Sequence, residues 1–316
     1  LEPNQEFVDA EARELSKIFD PEIVIQAQKF AEKEDYAETD KTTFQAMEAF
    51  VHNLNSMHSR AGAQTPFSSI NYGMCTEPEA RMVIRNLLLT TEEGLGGGET
   101  AIFPIQIFRL KSGVNLREGD PNYDLFKLAC RVSAKRLFPN FSVQDAPFNL
   151  KYYKEGHPET EIAYMGCRTR VIGNEVDPSR EITFGRGNLS FTSINLPRIA
   201  MKVKGKELFF KELQRILEMV RDQLLERLEV QSRKQVKNFP FLMGQGVWID
   251  SEKLSWESEV REVIKHGTLS IGFIGLAETL VVLTGKHHGE SEESQQLGLE
   301  IIRFMREFCD SESKRL

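Results

Sequence analysis

The residue with the clearest chemical potential is Cys167, in the run Tyr164-Met165-Gly166-Cys167-Arg168-Thr169-Arg170. A glycine before the cysteine lets backbone and substrate approach closely. Arg168 and Arg170 offer cations that hold an anionic substrate or depress the thiol pKa. A free cysteine is also commonly an inert buried side chain, so spacing alone leaves both roles open. A second group is Gly185-Arg186-Gly187-Asn188. Its glycines allow a turn that presents amides and a guanidinium to an anion, and Asn188 enters a strand where its amide can bond a hydroxyl. An ordinary turn fits the same pattern. His58-Ser59-Arg60-Ala61-Gly62-Ala63-Gln64 is dense in polar donors and suits either ligand contact or a loop network. His266 to Gly275 reads as a glycine-spaced turn opening a helix, whose N-terminal amides suit a phosphate; close helix packing through the glycines is the alternative. The Gly94–Gly98 run lacks a following Lys-Ser/Thr and follows a helix, so it reads as a helix cap and turn.

Periodicity indicates the elements that must position these groups. Phe44, Met47, Val51 and Leu54 form an apolar helical stripe within the first sixty residues. Strands are expected over 66–73, 101–110, 148–153 and 189–196. Helices are expected from a Thr76 cap to Glu93, over 122–137, over 207–230, to Leu283 after a short strand or turn from Leu269, and over 295–308. The stretch 154–188 is rich in turn residues and long for a structureless connection, which points to a functional loop. Alternating strands and helices argue α/β with a largely parallel sheet or barrel. There is no internal repeat or low-complexity linker, so 1–316 is taken as one region.

Composition narrows the classes. The 316 residues carry 40 basic and 47 acidic side chains, a net charge of -7, which disfavours a general nucleic-acid clamp. Four cysteines without CxxC spacing imply neither a zinc site nor a disulfide framework, and a reducing cytoplasm is expected. No apolar stretch is long enough for a bilayer, so no membrane partner is expected.

The segments PFSSINYG, EARMVIRNLLLTTEEGLGGGET, FPIQIF, DPNYDLFKLACRVSAKRLFPNF, YMGCRTRV, GRGNLSFTSINLPRIA and HGTLSIGFIGLAET together resemble the anaerobic (class III) ribonucleoside-triphosphate reductases. The likeness runs from about His58 to Leu283. It implies a ten-stranded α/β barrel of the glycyl radical enzyme type, incomplete in this chain. Cys167 matches the family's thiyl-radical cysteine, at the tip of a loop threading the barrel. Asn188 matches the asparagine of the formate-using members. The implied reaction begins with hydrogen abstraction from Cys167 by a glycyl radical. The resulting thiyl takes the ribose 3′ hydrogen, the 2′ hydroxyl leaves as water, and formate supplies electrons. Arg168, Ser270 and Gly272 are the expected substrate contacts, the last two through the helix N-terminus argument. His58, Arg60 and Gln64 are the expected contacts for ATP or dNTP effectors. A homodimer and a radical-SAM activating enzyme are the implied partners.

The chain departs from the family pattern at its ends. It holds no RVxGY-like glycyl radical segment, no four-cysteine zinc site, no N-terminal ATP-cone and no matching second active-site cysteine. It therefore reads as the central catalytic barrel region of a longer enzyme, inactive alone. The competing reading is a truncated homologue that serves as a non-catalytic nucleotide-binding and dimerisation module.

Overall fold

A computed structural model describes residues 5–58, 64–166 and 169–316. The chain divides into two compact units, Leu1–Arg170 and Val171–Leu316. In the first, helices α1 (Gln5–Leu15) and α2 (Pro21–Ser56) precede β1 (Ser69–Tyr72), α3 (Pro78–Glu93), β2 (Ile105–Leu110), α4 (Tyr123–Arg136), β3 (Asn140–Val143) and the short α5 (Pro147–Leu150). The second holds β4 (Asn188–Asn195), α6 (Leu196–Lys202), α7 (Lys206–Ser232), α8 (Arg261–Ile264), β5 (Thr268–Ile274), α9 (Leu276–Thr284) and α10 (Glu292–Arg315).

Every strand pair is parallel, as the alternation of strands and helices predicts. The first sheet has the order β1-β2-β3 and the second pairs β4 with β5. The described residues thus form two small parallel sheets and no closed barrel, in line with the α/β class and with a barrel expected to be incomplete in this chain. The physical reason is strand count: closure needs tilted neighbours on both edges of every strand, and five strands in two sheets do not provide them.

In the first unit, Ile84 and Leu88 of α3 pack with Phe108 and Leu110 of β2 and with Leu125, Ala129 and Val132 of α4. Val51, from the expected α2 stripe, is fully buried and packs with Leu87 and Ala101. In the second, α7 buries Phe209, Leu213, Leu217, Val220 and Leu224 along one face. That face meets Ile194, Leu196, Leu280 and Ile301 in one core.

Three local expectations change. The helix near Thr76 starts at Pro78 behind Glu77, without a side-chain cap bond; the fixed φ of proline suits the first helical position. The segment 148–153 is not a strand: Pro147 opens α5 there, and the strand is the short β3 before it. Ser270 and Gly272 lie within β5 rather than in a turn at a helix N-terminus, because the apolar alternation continues to Ile274. The glycine run at 94–98 is the expected cap. Gly94 has φ +87 and donates to the Thr90 carbonyl at 3.1 Å. Arg136 donates to the carbonyls of Glu92, Glu93 and Gly98 at 2.8, 2.6 and 2.7 Å, which satisfies the end of α3.

Candidate active site

Side chains alternate across a strand, so each sheet has two chemically distinct faces. In the first sheet, Gln106, Phe108 and Leu110 point to the helices, where Gln106 donates to Thr91 Oγ1 at 2.8 Å. Ser69 and Asn71 lie on the other face. Across that face runs the segment that leads to Cys167. Asn71 Nδ2 donates to the Tyr164 carbonyl at 2.7 Å, and the Tyr164 N–H donates to Asn71 Oδ1 at 2.9 Å. The Gly166 N–H donates to Ser69 Oγ at 3.0 Å. Upstream, Glu161 pairs with Lys111 at 2.7 Å and with Arg109 at 3.6 Å, beside the C-terminal end of β2. Contacts therefore descend from Glu161 at the strand ends to Gly166 at the start of β1. The segment runs antiparallel to the strands, along the face the helices leave free.

Met165 and Thr169 pair through their backbones in both directions, at 2.6 and 3.1 Å, which ties together the two ends of the stretch that carries the cysteine. Gly166 has φ +56, and a Cβ there would stand 3.1 Å from the Phe67 ring, so glycine meets two requirements at once. Cys167 and Arg168 lie outside the described residues, as does Arg60. His58 and Gln64 are exposed. A cleft of about 420 Å³ adjoins Tyr164 and is lined by Ile107, Asn140, Ser142, Phe148 and Asn149 among others.

In the second sheet, the structure brings together three of the residues singled out from sequence. Asn188, the first residue of β4, donates its side-chain amide to Ser270 Oγ on β5. Gly272 follows two residues on, and a Cβ there would lie 3.0 Å from Ser193 Oγ. These residues line one face while Ile194, Leu269 and Ile271 join the core on the other. The helix N-terminus nearby begins after Gly275, where a Cβ would stand 2.4 Å from Pro197.

Arg186 does not present its guanidinium to an external anion. It is 7% exposed and donates to four carbonyls, Ile172 at 2.9, Gly173 at 2.7, Ile182 at 3.2 and His266 at 2.8 Å. Burial pushes its pKa below the ordinary arginine value. Beside it, His266 is 4% exposed, with Nδ1 3.3 Å from the Asn174 amide and Nε2 3.7 Å from Asp250. Burial, assisted by the Arg180 charge, lowers the His266 pKa. Hydrogen bonds from Arg180 and Lys253 hold the Asp250 carboxyl well below the usual carboxylate range.

The remaining cysteines are less suited to thiolate chemistry. Burial pushes the thiol pKa of Cys130 and Cys309 up. Cys75 is exposed. Among the described residues, no group of three or more His, Cys, Asp or Glu could hold a metal ion, and no helix is long and apolar enough to cross a membrane. Sequence reasoning missed Ser69, Asn71, Arg109 and Glu161. Ser-Ile-Asn in a strand puts two short polar side chains on one face, and that alternation was the available signal.

Small parallel sheets packed against helices, with the segment 161–166 hydrogen-bonded across one face of the first, define a protein of the α/β class. A family model described as anaerobic ribonucleoside-triphosphate reductase matches residues 20–315, and the chain belongs to that family. The anaerobic ribonucleoside-triphosphate reductase of Salmonella typhimurium (strain LT2) is 32% identical over 277 residues, covering 86% of this chain and 38% of that protein. The Haemophilus influenzae enzyme of the same name is 31% identical, covering 87% and 38%. That of Enterobacteria phage T4 is 31% identical, covering 83% and 43%. The chain spans about two fifths of the length of these curated relatives.

Proposed function

We propose that these 316 residues are the central catalytic region of an enzyme that reduces ribonucleoside triphosphates to 2′-deoxyribonucleoside triphosphates for DNA precursor synthesis. The observation that carries this reading is the clasp on the segment 161–166 in a chain of this family. A cysteine that exchanges hydrogen with a substrate C–H needs a backbone held against displacement, and a loop hydrogen-bonded to a sheet meets that need. The two sheets are proposed as parts of a ten-stranded α/β barrel of the glycyl radical type, completed by strands from the rest of the protein.

Cys167 is the proposed catalytic thiol. As a thiyl it takes the ribose 3′ hydrogen and returns it after reduction. The net reaction is ribonucleotide plus formate plus a proton, giving deoxyribonucleotide, carbon dioxide and water; formate is oxidised, and the 2′ oxygen leaves in the water. A glycyl radical on a segment outside these residues supplies the unpaired electron, and the protein's task is to position the thiol and exclude solvent. Asn188 orients substrate or formate. Its side-chain N–H engages Ser270, and its Oδ1 is the acceptor proposed for that contact. Arg168, Ser270 and Gly272 are the proposed substrate contacts, the last two from strand β5. His58, Arg60 and Gln64 are the proposed effector contacts. ATP or dNTP effectors, a zinc site in the segment that bears the glycyl radical, a radical-SAM activating enzyme and a homodimer complete the proposal, in the cytoplasm.

The test uses the full-length protein from the native gene, activated under anaerobic conditions. The wild type should form deoxyribonucleotide in the presence of formate. Cys167→Ala should form none while still accumulating a glycyl radical by electron paramagnetic resonance. Turnover by Cys167→Ala would overturn the assignment. Saturable dNTP binding without turnover by the wild type would favour the non-catalytic binding module.

A further inference from the structure

We infer that Asn71 and Ser69 are positioning residues that set the location of the reacting thiol from strand β1. The inference rests on the assignment of Cys167 as that thiol. A carboxamide presents its oxygen and one of its two N–H groups on the same side, so it can engage the N–H and the carbonyl of one extended residue together. Asn71 uses both, at 2.7 and 2.9 Å, on the carbonyl and N–H of one residue, Tyr164. It thereby pairs with Tyr164 as a neighbouring strand would, and it fixes the orientation of the peptide planes on either side. Ser69 lies two residues earlier on the same strand face and accepts from the Gly166 N–H, the residue immediately before Cys167.

Both side chains come from a strand whose opposite face is anchored in the helical core. Tyr72 donates to Gln106 Oε1 at 2.6 Å and packs edge-on to Phe108 at 5.5 Å. The clasp thus transfers the rigidity of the sheet to the loop. Asparagine is a poor strand former, so its use here costs intrinsic strand preference and returns loop placement. A loss of either bond frees the peptide next to the thiol, and displacement by about 1 Å costs on the order of 100-fold in a reaction that depends on alignment.

The experiment compares Asn71→Ala, Ser69→Ala and Ser69→Thr in the full-length, activated reductase. Three quantities are read for each: glycyl radical yield, turnover per radical, and the isotope effect with 3′-deuterated substrate. Asn71→Ala should lower kcat per radical by tenfold or more with KM within twofold, and it should raise the 3′ isotope effect as hydrogen abstraction becomes limiting. Ser69→Ala should act in the same direction, and Ser69→Thr, which keeps the hydroxyl, should restore turnover. Turnover per radical within twofold of wild type in both alanine variants would overturn the inference. So would a fall in radical yield that accounts for the whole loss of turnover, since that signals damage to the fold. Cys167→Ala separates the two levels. Turnover retained there removes the parent assignment, whereas turnover lost there with normal alanine variants removes only the role of Asn71 and Ser69.

Discussion

Arg186 shows how a residue type misleads without its surroundings. Between two glycines it reads as an anion hook, yet it organises four carbonyls from three parts of the second unit. Arg186→Met would leave those acceptors buried without a donor. The expected cost is about 3 kcal/mol or more, read as a lower urea midpoint at unchanged slope. His266 gives the neighbouring pH dependence. Its folded pKa is depressed by burial, so the unfolded chain binds a proton more readily. Stability from this group is present above about pH 6.5 and is lost as pH falls from there toward the folded value. The urea midpoint of the second unit should drop between pH 7 and 5, and His266→Asn should flatten that slope. Glu229 and Asp177, held at about 2 chiefly by hydrogen bonds from Arg261 and Ser179 respectively, act with the same sign. Their contribution is lost at more acid pH, below about 4.

Among the elements, strands and helices with strong periodicity fall close to where the pattern puts them. Examples are α3 ending at Gly94, α7 with its buried stripe, and β4 beginning at Asn188. The exceptions are short. β3 has four residues and half-exposed alternation, too little to stand out from a loop. Glycines punctuate the β5–α9 junction, so the pattern there fits a short strand or a turn. Gly272 is in fact a strand residue beside Ser193, and only Gly275 is at the turn, with φ +74. Gly275→Ala would meet Pro197 and an unfavourable φ together. It should cost about 2 kcal/mol or more in thermal or urea unfolding. Leu213→Ala, in the fully buried stripe of α7, should cost about 2–5 kcal/mol by the same measurement, with the loss growing with the cavity left behind.

For the whole molecule, the two sheets carry the consequence of strand number. Both have strands with unpaired edges among the described residues, and Phe191, Phe273 and Ile274 of the second sheet are exposed. Such edges template pairing with other chains. The 316-residue chain purified alone should therefore show a mass that rises with concentration in light scattering after size exclusion. A single monomeric mass up to 100 µM, on the order used for such tests, would contradict that. The same isolated chain should not reduce ribonucleotides, because the proposed radical-bearing segment is not in its sequence; deoxyribonucleotide formed by it after activation would refute the mechanism.

The sequence alone determined the α/β class, the largely parallel pairing, the glycine end of α3 and the family to which the chain belongs, because periodicity, capping residues and long ordered motifs are local properties of the chain. It also singled out Cys167 and Asn188 as residues of interest. Tertiary structure decided which polar groups meet. The amide of Asn71 finds Tyr164 and the hydroxyl of Ser69 finds Gly166 across more than ninety residues, and Asn188 finds Ser270 across eighty-two. A hydrogen bond depends on a distance of about 3 Å and on direction, and neither is encoded in the spacing of two residues that far apart.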